Sequence, residues 1–327
     1  MKQRSRSLDG GSLRLLVIII NYKTPGLVCD AVLSLHKDLD PELDRVVIVD
    51  NLSEDESINV LSNFIDKNKF DSWVEIVESG VNGGFSSGNN IGLMHAKAEY
   101  YLLLNSDAYV REGAIRALFS SAASDARLGI IAPKLEWDDG RQQVSLFHHL
   151  TVWNSFLSSA KTGLFTRLGR IVGLKEVAIP IDKHYELVDP DWVSFACVLL
   201  RGAMVDEVGL MDDGFFMYRE DNDYCRRATQ AGWKIGYAPE AKVVHLNQGA
   251  SNDFGVSRLP TFYFESRSRY FLKYYGRLGL LCANLLWLLG RSISLFREVV
   301  QSKESAFHRT MIGDIWIGFF SRIDKNE

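Results

Sequence analysis

Long aliphatic runs alternate with mixed polar segments over the first hundred residues, and this pattern predicts strands separated by helices. The first run, 13–20, is a continuous aliphatic run, which is typical of a strand that is buried on both faces. The runs that predict strands are 13–20, 45–50, 73–77 and 100–107, the last of which ends in Asp107.

The segments between these runs carry helix-start signals. Pro25 opens a helix that reaches about His36, and Ser53 is placed to cap a second helix whose first turn is acidic. The glycine-rich stretch 82–98 continues into a third helix. Strands separated by helices predict an α/β fold with a mostly parallel central sheet flanked by helices.

Polar side chains follow each of the four predicted strands. Sheets of this kind bind ligands at the carboxyl ends of their strands. The residues that collect at these ends are Asn21, Asp50, Asn51, Asn82, Asn105 and Asp107. Four polar strand ends in succession predict a lined binding crevice.

The segment 214–245 holds the densest candidate chemistry. Glu220, Asp221 and Asp223 lie within four positions, directly after an aromatic run. On a helix, Glu220 and Asp223 share a face while Asp221 points elsewhere. One carboxylate can then act as a general base, because carboxylates close together raise one another's pKa towards neutrality. The alternative is an acid-rich helix N-terminus in solvent, stabilised by the helix dipole.

Four further residues have both a functional and a structural interpretation. Asp107 can ligate a Mg²⁺ or Mn²⁺ ion that bridges a diphosphate, or it can cap a helix starting near Arg111. Asp50 and Asn51 can hydrogen-bond a pyrimidine base or ribose, or they can form a turn. His245 ends a strand-like run and can complete a metal site or serve a structural role.

Composition limits the classes of protein to which this chain can belong. The chain has 327 residues, of which 46% are hydrophobic and 24% charged, which suits one large domain or a domain with an appendage. The net charge of −4 argues against a nucleic-acid partner. Four scattered cysteines form no CxxC pair, so a reducing cytoplasm fits. No GxGxxG follows the first strand and no GK[ST] phosphate loop occurs.

The C-terminal region differs in amino-acid composition from the rest of the chain. Seven basic residues and one acidic residue lie between Arg258 and Arg297, interleaved with aromatic residues. Such a helix suits an anionic membrane interface; the alternative is an appendage that packs on the catalytic domain or on a second copy in a homodimer. The uncharged run Leu278–Gly290 reaches about 20 Å, which is too short to cross a hydrocarbon core of about 30 Å.

These features predict three parts of the chain. A disordered basic tail covers 1–13, a catalytic domain covers 14–255, and a helical region covers 256–327. Residues 140–190 show no clear period, and we assign them to a substrate-specific insertion.

Six segments, in this order, resemble family 2 glycosyltransferases of the GT-A fold, and the rhamnosyltransferase-like members in particular. They are NYKTP, VVIVDNLSEDES, NGGFSSGNNIG, LLLNSD, GFFMYREDNDYCRRATQAGWKI and AKVVHLNQGAS, and they run from about residue 15 to residue 251. Each segment alone is a weak signal, whereas the ordered combination is specific.

The resemblance implies roles for individual residues on the donor side. Asp50 and Asn51 match the position that reads the pyrimidine base and ribose, and Asn82, Gly84 and Asn89 match the nucleotide-side loop. The strand-end residues Asn21 and Asn105 complete the set that we expect on this side.

The resemblance also implies the catalytic groups. Asp107 matches the last residue of the metal-binding motif, and His245 matches a position that completes the metal site in some members. Asp221 matches the proposed catalytic base, with Glu220 beside it. The implied cofactor is a divalent ion, Mn²⁺ or Mg²⁺.

The implied function is an inverting hexosyltransferase of polysaccharide or lipopolysaccharide biosynthesis. The donor is a nucleoside diphosphate sugar, dTDP- or UDP-linked, with dTDP-rhamnose as the first expectation. The acceptor is a hydroxyl of a glycan or of a polyprenyl-diphosphate-linked sugar. This activity is expected in the cytoplasm, either free or peripheral on the inner face of the cytoplasmic membrane.

This sequence departs from the family pattern at two places. The metal motif reads Asn-Ser-Asp, with Asn105 in place of the first aspartate, which reduces the charge available to a metal. Lys234 follows Gly232-Trp233, so the QxxRW motif of processive synthases is absent and single addition is favoured.

Two rival classes share some of these features. A nucleotidyltransferase would carry a basic glycine-rich loop near the first strand, where this chain offers only Lys23. A non-catalytic glycan-binding or scaffold protein would be favoured by loss of Asp107 or Asp221, and both are present.

Overall fold

The central element is an eight-stranded sheet. The computed structural model describes residues 12–161, 167, 176–184, 190–247, 258–302 and 308–322. The strands are β1 (Leu13–Asn21), β2 (Asp44–Asp50), β3 (Val74–Glu78), β4 (Ala98–Asn105), β5 (Ala108–Val110), β6 (Leu128–Glu136), β7 (Leu146–Phe147), β8 (Trp192–Val193), β9 (Cys197–Arg201) and β10 (Lys234–His245). The sheet order is β3-β2-β1-β4-β9-β6-β10-β5, while β7 and β8 form a separate pair.

Helices cover both faces of the sheet. Within the described ranges they are α1 (Pro25–Leu35), α2 (Ser57–Asn68), α3 (Gly84–His95), α4 (Ala114–Ser124), α5 (Val152–Ala160), α6 (Gly202–Val208), α7 (Glu220–Gln230), α8 (Thr261–Val300) and α9 (Met311–Asp314). A 3₁₀ turn lies at Ile181–Lys183. The pairs β1–β2, β1–β4, β2–β3 and β6–β10 are parallel, whereas β9 and β5 run antiparallel to their neighbours.

Strand β1 shows why its aliphatic run is continuous. Leu15, Val17 and Ile19 belong to one hydrophobic cluster, and Leu16 and Ile18 belong to another. Because successive side chains of a strand point to opposite faces, a strand packed on both sides needs apolar residues at every position. The predicted α/β sheet with helices on both faces is confirmed.

Three local expectations need correction. The fourth strand ends at Asn105 instead of Asp107, because the chain turns at Ser106-Asp107 into β5. Helix α2 begins at Ser57, and Ser53 makes no cap since its hydroxyl donates to Asp50 Oδ1 (2.6 Å). The alternative role of Asp107 as a helix cap also fails.

The helix that Asp107 was considered to cap is capped by Asp38 instead. Helix α4 begins at Ala114, and the carboxylate of Asp38 accepts the backbone N–H groups of Gly113 (2.9 Å) and Ile115 (3.1 Å). Asp107 is therefore left on the pocket side of the turn that precedes β5.

Helix α8 folds back on itself at Gly276. This residue has φ 65° and ψ −176°, a conformation open to glycine and strained for other residues. Arg267 Nη1 donates to Asn284 Oδ1 at 2.7 Å although the two residues are 17 positions apart, a separation of about 25 Å along a straight helix. The C-terminal region is therefore a helical hairpin.

The hairpin packs through its basic residues on α7 and on the segment before it. Asp212 pairs with Arg269 (2.6 Å) and Lys273 (2.6 Å), and Lys273 also pairs with Asp223 (2.9 Å). The expectation that these cations lie at lipid headgroups is wrong for them, because they satisfy buried carboxylates inside the protein.

One described helix, α8, is long and apolar enough to cross a membrane by length and composition alone, which is weak evidence. The predicted tail over 1–13 falls outside the described residues up to residue 11, and Leu13 already belongs to β1. Parts of the segment 140–190, which shows no clear period, also lie outside the described residues. Its described portions form β7, α5 and the 3₁₀ turn.

Candidate active site

A pocket of about 150 Å³ opens at the carboxyl ends of β1, β2 and β4. The start of α3 and an apolar wall of Phe216, Met217 and Phe262 line its other sides. Six of the residues predicted from the strand ends and the glycine-rich loop line it, namely Asn51, Asn82, Gly84, Asn89, Asn105 and Asp107. The structure thus brings together side chains that are up to 56 positions apart in the chain.

Asn21 and Asp50 lie behind this pocket instead of lining it. Asn21 Nδ2 donates to Asp50 Oδ1 (2.6 Å) and to Ser53 Oγ (3.1 Å), and the backbone N–H of Ser53 donates to Asp50 Oδ2 (3.0 Å). All three side chains are buried. This network ties the ends of β1 and β2 together and so fixes the position of Asn51.

Asn51 connects the strand end to the glycine-rich loop. Its Nδ2 donates to Asn82 Oδ1 (3.0 Å) and to the carbonyl of Gly84 (3.1 Å). Its Oδ1 is buried and has no hydrogen-bond partner among the residues that the structure describes. A buried acceptor without a donor costs free energy, and such groups in native proteins call for an explanation such as a ligand donor.

Gly84 lets this loop approach the acidic segment closely. It has φ +80°, and a Cβ at this position would lie 1.9 Å from the carbonyl oxygen of Phe216. The next residue, Phe85, donates its backbone N–H to the same carbonyl (2.7 Å). The donor-side loop and the segment before α7 are therefore joined directly, and only glycine fits the joint.

Asp107 and His245 face each other across the β5–β10 pairing. The register places His245 opposite Ala108, and Leu246 donates its N–H to the carbonyl of Asp107 (2.9 Å). His245 Nε2 lies 3.6 Å from Asp107 Oδ1. Gln143 fixes the imidazole: its Nε2 donates to the His245 carbonyl (2.6 Å), so its Oε1 accepts from His245 Nδ1 (3.2 Å).

This arrangement suits a divalent ion. Burial lowers the pKa of His245, although Asp107 opposes the shift, so the ring is neutral at pH 7. With its proton on Nδ1, the Nε2 lone pair points towards a carboxylate, and two such groups attract a cation between them. A ligating histidine typically donates its other N–H to a carbonyl acceptor in this way. Among the described residues no group of three or more His, Cys, Asp or Glu side chains is arranged to hold a metal.

The acidic segment begins with strained backbone. Tyr218 and Arg219 have φ values of 70° and 73°, which is uncommon for non-glycine residues and occurs often at functional sites. Helix α7 starts directly after them, with Glu220 and Asp221 in its first turn. Glu220 is 7% exposed, and its Oε2 is buried without a hydrogen-bond partner.

Burial changes the acidity of both carboxyls. It raises the pKa of Asp221 to about 6, against the hydrogen bond from the Asn222 N–H and the charge of Arg219. Burial, followed by the charge of Asp221, raises the pKa of Glu220 well above its usual value. A carboxylate with a pKa near 6 is suited to accept a proton at neutral pH.

Asp223 has a structural role in this structure. It is fully buried and pairs with Arg227 (2.9 Å) and Lys273 (2.9 Å), and it accepts a hydrogen bond from the Tyr274 hydroxyl (2.7 Å). Asp223 and Arg227 are four positions apart, so they pair across one turn of α7. Asp223 anchors α7 on the C-terminal hairpin.

Two residues near the acids escaped sequence reasoning. His149 Nδ1 lies 2.8 Å from Asn222 Oδ1, which also accepts from the Tyr270 hydroxyl (3.0 Å). Arg219 lies immediately before Glu220, and its Nε is buried without a partner. Arg219 could have been found from its position before the acids, whereas nothing in the sequence connects His149 to a residue 73 positions away.

Comparison with known proteins identifies a family and relatives that resemble this chain. Residues 16–168 match the family described as Glycosyl transferase family 2. The low-salt glycan biosynthesis hexosyltransferase Agl10 of Haloferax volcanii is 25% identical over 235 residues, which cover 71% of this chain and 66% of that protein. The N-acetylglucosaminyl-diphospho-decaprenol L-rhamnosyltransferase of Mycobacterium tuberculosis is 26% identical over 240 residues, which cover 68% and 74%.

Solved structures confirm the fold. The mannosyltransferase PcManGT from Pyrobaculum calidifontis, in complex with GDP-Man and Mn²⁺, aligns with a TM-score of 0.51 over 94% of this chain and 85% of its own. The two sequences are 13% identical, so the likeness concerns the fold alone. The GT-A fold expected from the sequence is therefore confirmed.

Proposed function

Since this chain is a glycosyltransferase that carries a family 2 domain, we propose that it moves one sugar from a nucleoside diphosphate donor to a hydroxyl acceptor with inversion. The observation that carries the proposal is the convergence of Asn51, Asn82, Gly84 and Asp107 on one pocket beside the acidic segment. Sheets of this class bind nucleotides at the carboxyl edge where the pocket lies.

The nucleoside occupies the Asn51 side of the pocket. Asn51 Oδ1 is placed to accept an N–H from a pyrimidine base, which supplies its missing donor. Asp50 and Asn21 support this contact from behind by fixing the strand ends. Asn82 and Asn89 lie at the loop that faces the ribose and diphosphate.

The diphosphate lies at the Asp107 side. A Mg²⁺ or Mn²⁺ ion, when bound, supplies Lewis-acid stabilisation of charge on the diphosphate. Asp107 and His245 would hold it, because a carboxylate oxygen and a neutral imidazole nitrogen are suitable ligands. Asn105, in place of a first aspartate, contributes a neutral oxygen and leaves the site with less negative charge.

Asp221 is the proposed general base. It takes the proton of the acceptor hydroxyl while the hydroxyl oxygen attacks the anomeric carbon from the face opposite the diphosphate. The bond to the diphosphate oxygen breaks in the same displacement, so configuration inverts. Arg219 tunes this base, since its charge favours the deprotonated form of Asp221, and the charge of Asp221 in turn raises the pKa of Glu220.

The sugar and the acceptor are proposed by analogy with relatives. One relative is named as an L-rhamnosyltransferase that acts on N-acetylglucosaminyl-diphospho-decaprenol. We therefore propose dTDP-rhamnose as the first donor to test and a polyprenyl-diphosphate-linked sugar as the acceptor. The absence of QxxRW favours a single addition in assembly of a cell-surface polysaccharide.

Membrane contact belongs to the same proposal and rests on the outer face of α8 after Gly276. Its inner face is buried, yet its outer positions are also apolar and exposed: Leu278, Leu285, Leu289, Phe296 and Val300. A row of exposed apolar side chains along one helix face marks a site of contact with a protein or a membrane. A peripheral position on the inner face of the cytoplasmic membrane supplies one.

A vesicle assay tests the membrane contact. Phe296 is 72% exposed, and we expect Phe296→Glu to reduce co-sedimentation with vesicles at least threefold, because a charge would enter the interface. Met94→Glu, at a 64% exposed position on α3, is the matched control and should bind as wild type. Equal binding by both variants would contradict the assigned face.

Nucleotide binding tests the donor site. We expect dTDP or UDP, with Mn²⁺ or Mg²⁺, to raise Tm selectively over GDP and ADP, because a ligand that binds only the native state stabilises it. Asp107→Asn should remove the metal-dependent part of the shift, while Asp38→Asn, a capping residue of α4, should keep it. A protein that folds and shows no shift with any nucleotide would overturn the proposal.

A further inference from the structure

A second cavity, of about 240 Å³, lies on the other side of the acidic segment. It is enclosed by α5, both halves of α8 and the end of the chain at α9. Its walls are largely apolar and aromatic, with Trp287, Phe264 and Tyr263 among them. Two arginines, Arg219 and Arg267, also line this cavity.

Arg267 is a buried cation whose charge is not neutralised by a paired acid. Its side chain is 6% exposed and donates to Asn284 Oδ1 (2.7 Å) and to Ser155 Oγ (3.5 Å), both neutral groups. Burial lowers the pKa of Arg267 to about 10, and the charge of Arg219 lowers it further while Tyr263 opposes the shift. In the part of the chain that the structure describes, no carboxylate forms an ion pair with Arg267.

Arg219 brings a second positive charge to the same cavity. Within the described part of the chain, its Nε is buried without a hydrogen-bond partner, and its Nη2 donates only weakly to the Tyr263 hydroxyl (3.4 Å). The nearby acids Glu220 and Asp221 feel its charge, but neither forms an ion pair with it. Arg267 is buried and Arg219 is half-buried, and two cations side by side in such surroundings cost free energy unless an anion accompanies them.

The position of the cavity relates it to the reaction. Residues 216 and 217 line the first pocket, residue 219 lines the second, and α7 with its two acids follows at once. Helix α8 repeats this division, with Phe262 in the first pocket and Tyr263 in the second. The two pockets therefore lie on opposite sides of the segment that delivers Asp221.

From this geometry we propose that the second cavity binds the diphosphate group of the acceptor, with Arg219 and Arg267 as its ligands. The inference rests on the proposed function and extends it by assigning the acceptor site. Guanidinium groups bind phosphate oxygens through charge-assisted hydrogen bonds, which are stronger in a buried site. The apolar walls accommodate the first units of the lipid, and the sugar extends towards Asp221.

The test uses farnesyl diphosphate as the probe, with the full chain in EDTA to suppress metal-dependent binding at the donor site. We expect it to bind wild type and Asp107→Asn with similar affinity. Arg267→Met, which keeps the length of the side chain and removes the charge, should weaken binding at least tenfold. Farnesol, which lacks the diphosphate, should bind both wild type and Arg267→Met weakly and equally.

Each other result overturns the assignment. Equal farnesyl diphosphate affinity in wild type and Arg267→Met, or loss of binding only in Asp107→Asn, would place the diphosphate at the donor site. Arg219→Gln provides a second variant should Arg267→Met not fold, and it should weaken binding likewise. A retained metal-dependent nucleotide shift shows that a variant is folded, so failure of this inference is distinguishable from failure of the proposed function.

Discussion

At the scale of single residues, the site buries polar atoms of charged side chains, and burial disfavours the charged form of a group. Glu220 Oε2 and Arg219 Nε are both buried without hydrogen-bond partners, and the two residues before α7 adopt left-handed backbone. Such features cost stability and persist where function requires them. The acids of α7 were predicted from their cluster in the sequence, but the burial that changes their pKa comes from elements distant in the chain.

The rate of glycosyl transfer should rise with pH through the pKa of Asp221. The proposed base, Asp221, would work when deprotonated, and its pKa is raised to about 6, so activity should fall below pH 6 and level off above about pH 7. Because Asp221 and Glu220 interact, the observed midpoint belongs to the pair. The measurement is kcat/KM from pH 4.5 to 8.5, and a midpoint near pH 4 would contradict a buried base.

Glu220→Gln should stabilise the protein above neutral pH. The pKa of Glu220 is raised in the folded state, so wild type loses stability as pH rises from the unfolded value of about 4.3. Removing the charge should raise Tm by roughly 2–4 °C at pH 8, which corresponds to about 1 kcal/mol, and change little at pH 4. Glu42→Gln, at an exposed position, should show no such pH dependence in the same scans. A destabilised Glu220→Gln at pH 8 would show that the charge is compensated.

At the scale of elements, the strand ends assemble the pocket and one glycine joins it to the acids. The sequence predicted β1, β2 and β4 together with their polar ends, because a strand that is buried on both faces requires continuous apolar residues. The position of β9, antiparallel between β4 and β6, could not be predicted from the sequence, because strand order depends on pairing between distant segments. The sequence did not predict the reversal of α8 at Gly276, because one glycine within a helical pattern is also compatible with a continuous helix.

Gly84→Ala should disrupt the joint between α3 and the acidic segment. The new Cβ would lie 1.9 Å from the Phe216 carbonyl oxygen, so the loop must move and the pocket with it. Gly80→Ala shares the positive φ (+72°) but meets nothing within 4 Å, so it controls for backbone strain, which costs about 1–2 kcal/mol. We expect Gly84→Ala alone to weaken nucleotide binding at least tenfold by calorimetry. Equal affinity in the two variants would contradict the role of the close approach.

At the scale of the whole molecule, the C-terminal hairpin is part of the catalytic unit. Lys273 contacts both Asp212 and Asp223, and Tyr274 donates to Asp223, so the first half of α8 holds α7 in place. The sequence showed a basic, aromatic region there and left its partner open between membrane and protein. Its cations pair with acids of the catalytic domain, whereas its exposed apolar face remains available for the membrane.

Lys273→Met should destabilise the protein by about 3 kcal/mol. It leaves two buried carboxylates with one cation fewer each, and removing one partner of a buried pair typically costs 3–5 kcal/mol. Lys234→Met removes an exposed pair with Asp125 and should cost less than about 1 kcal/mol. Urea unfolding monitored by fluorescence compares the two variants, and equal losses would show that the hairpin contributes no special anchoring.

The most direct test of the account is the rate of sugar transfer by Asp221→Asn. The variant keeps the shape of the side chain but cannot accept the acceptor proton, so kcat should fall at least a thousandfold while the metal-dependent nucleotide shift in Tm is preserved. Asp213→Asn, at an exposed acid seven positions before α7, should transfer sugar at the wild-type rate. If Asp221→Asn keeps the wild-type kcat, Asp221 is not the base and the proposed mechanism is wrong.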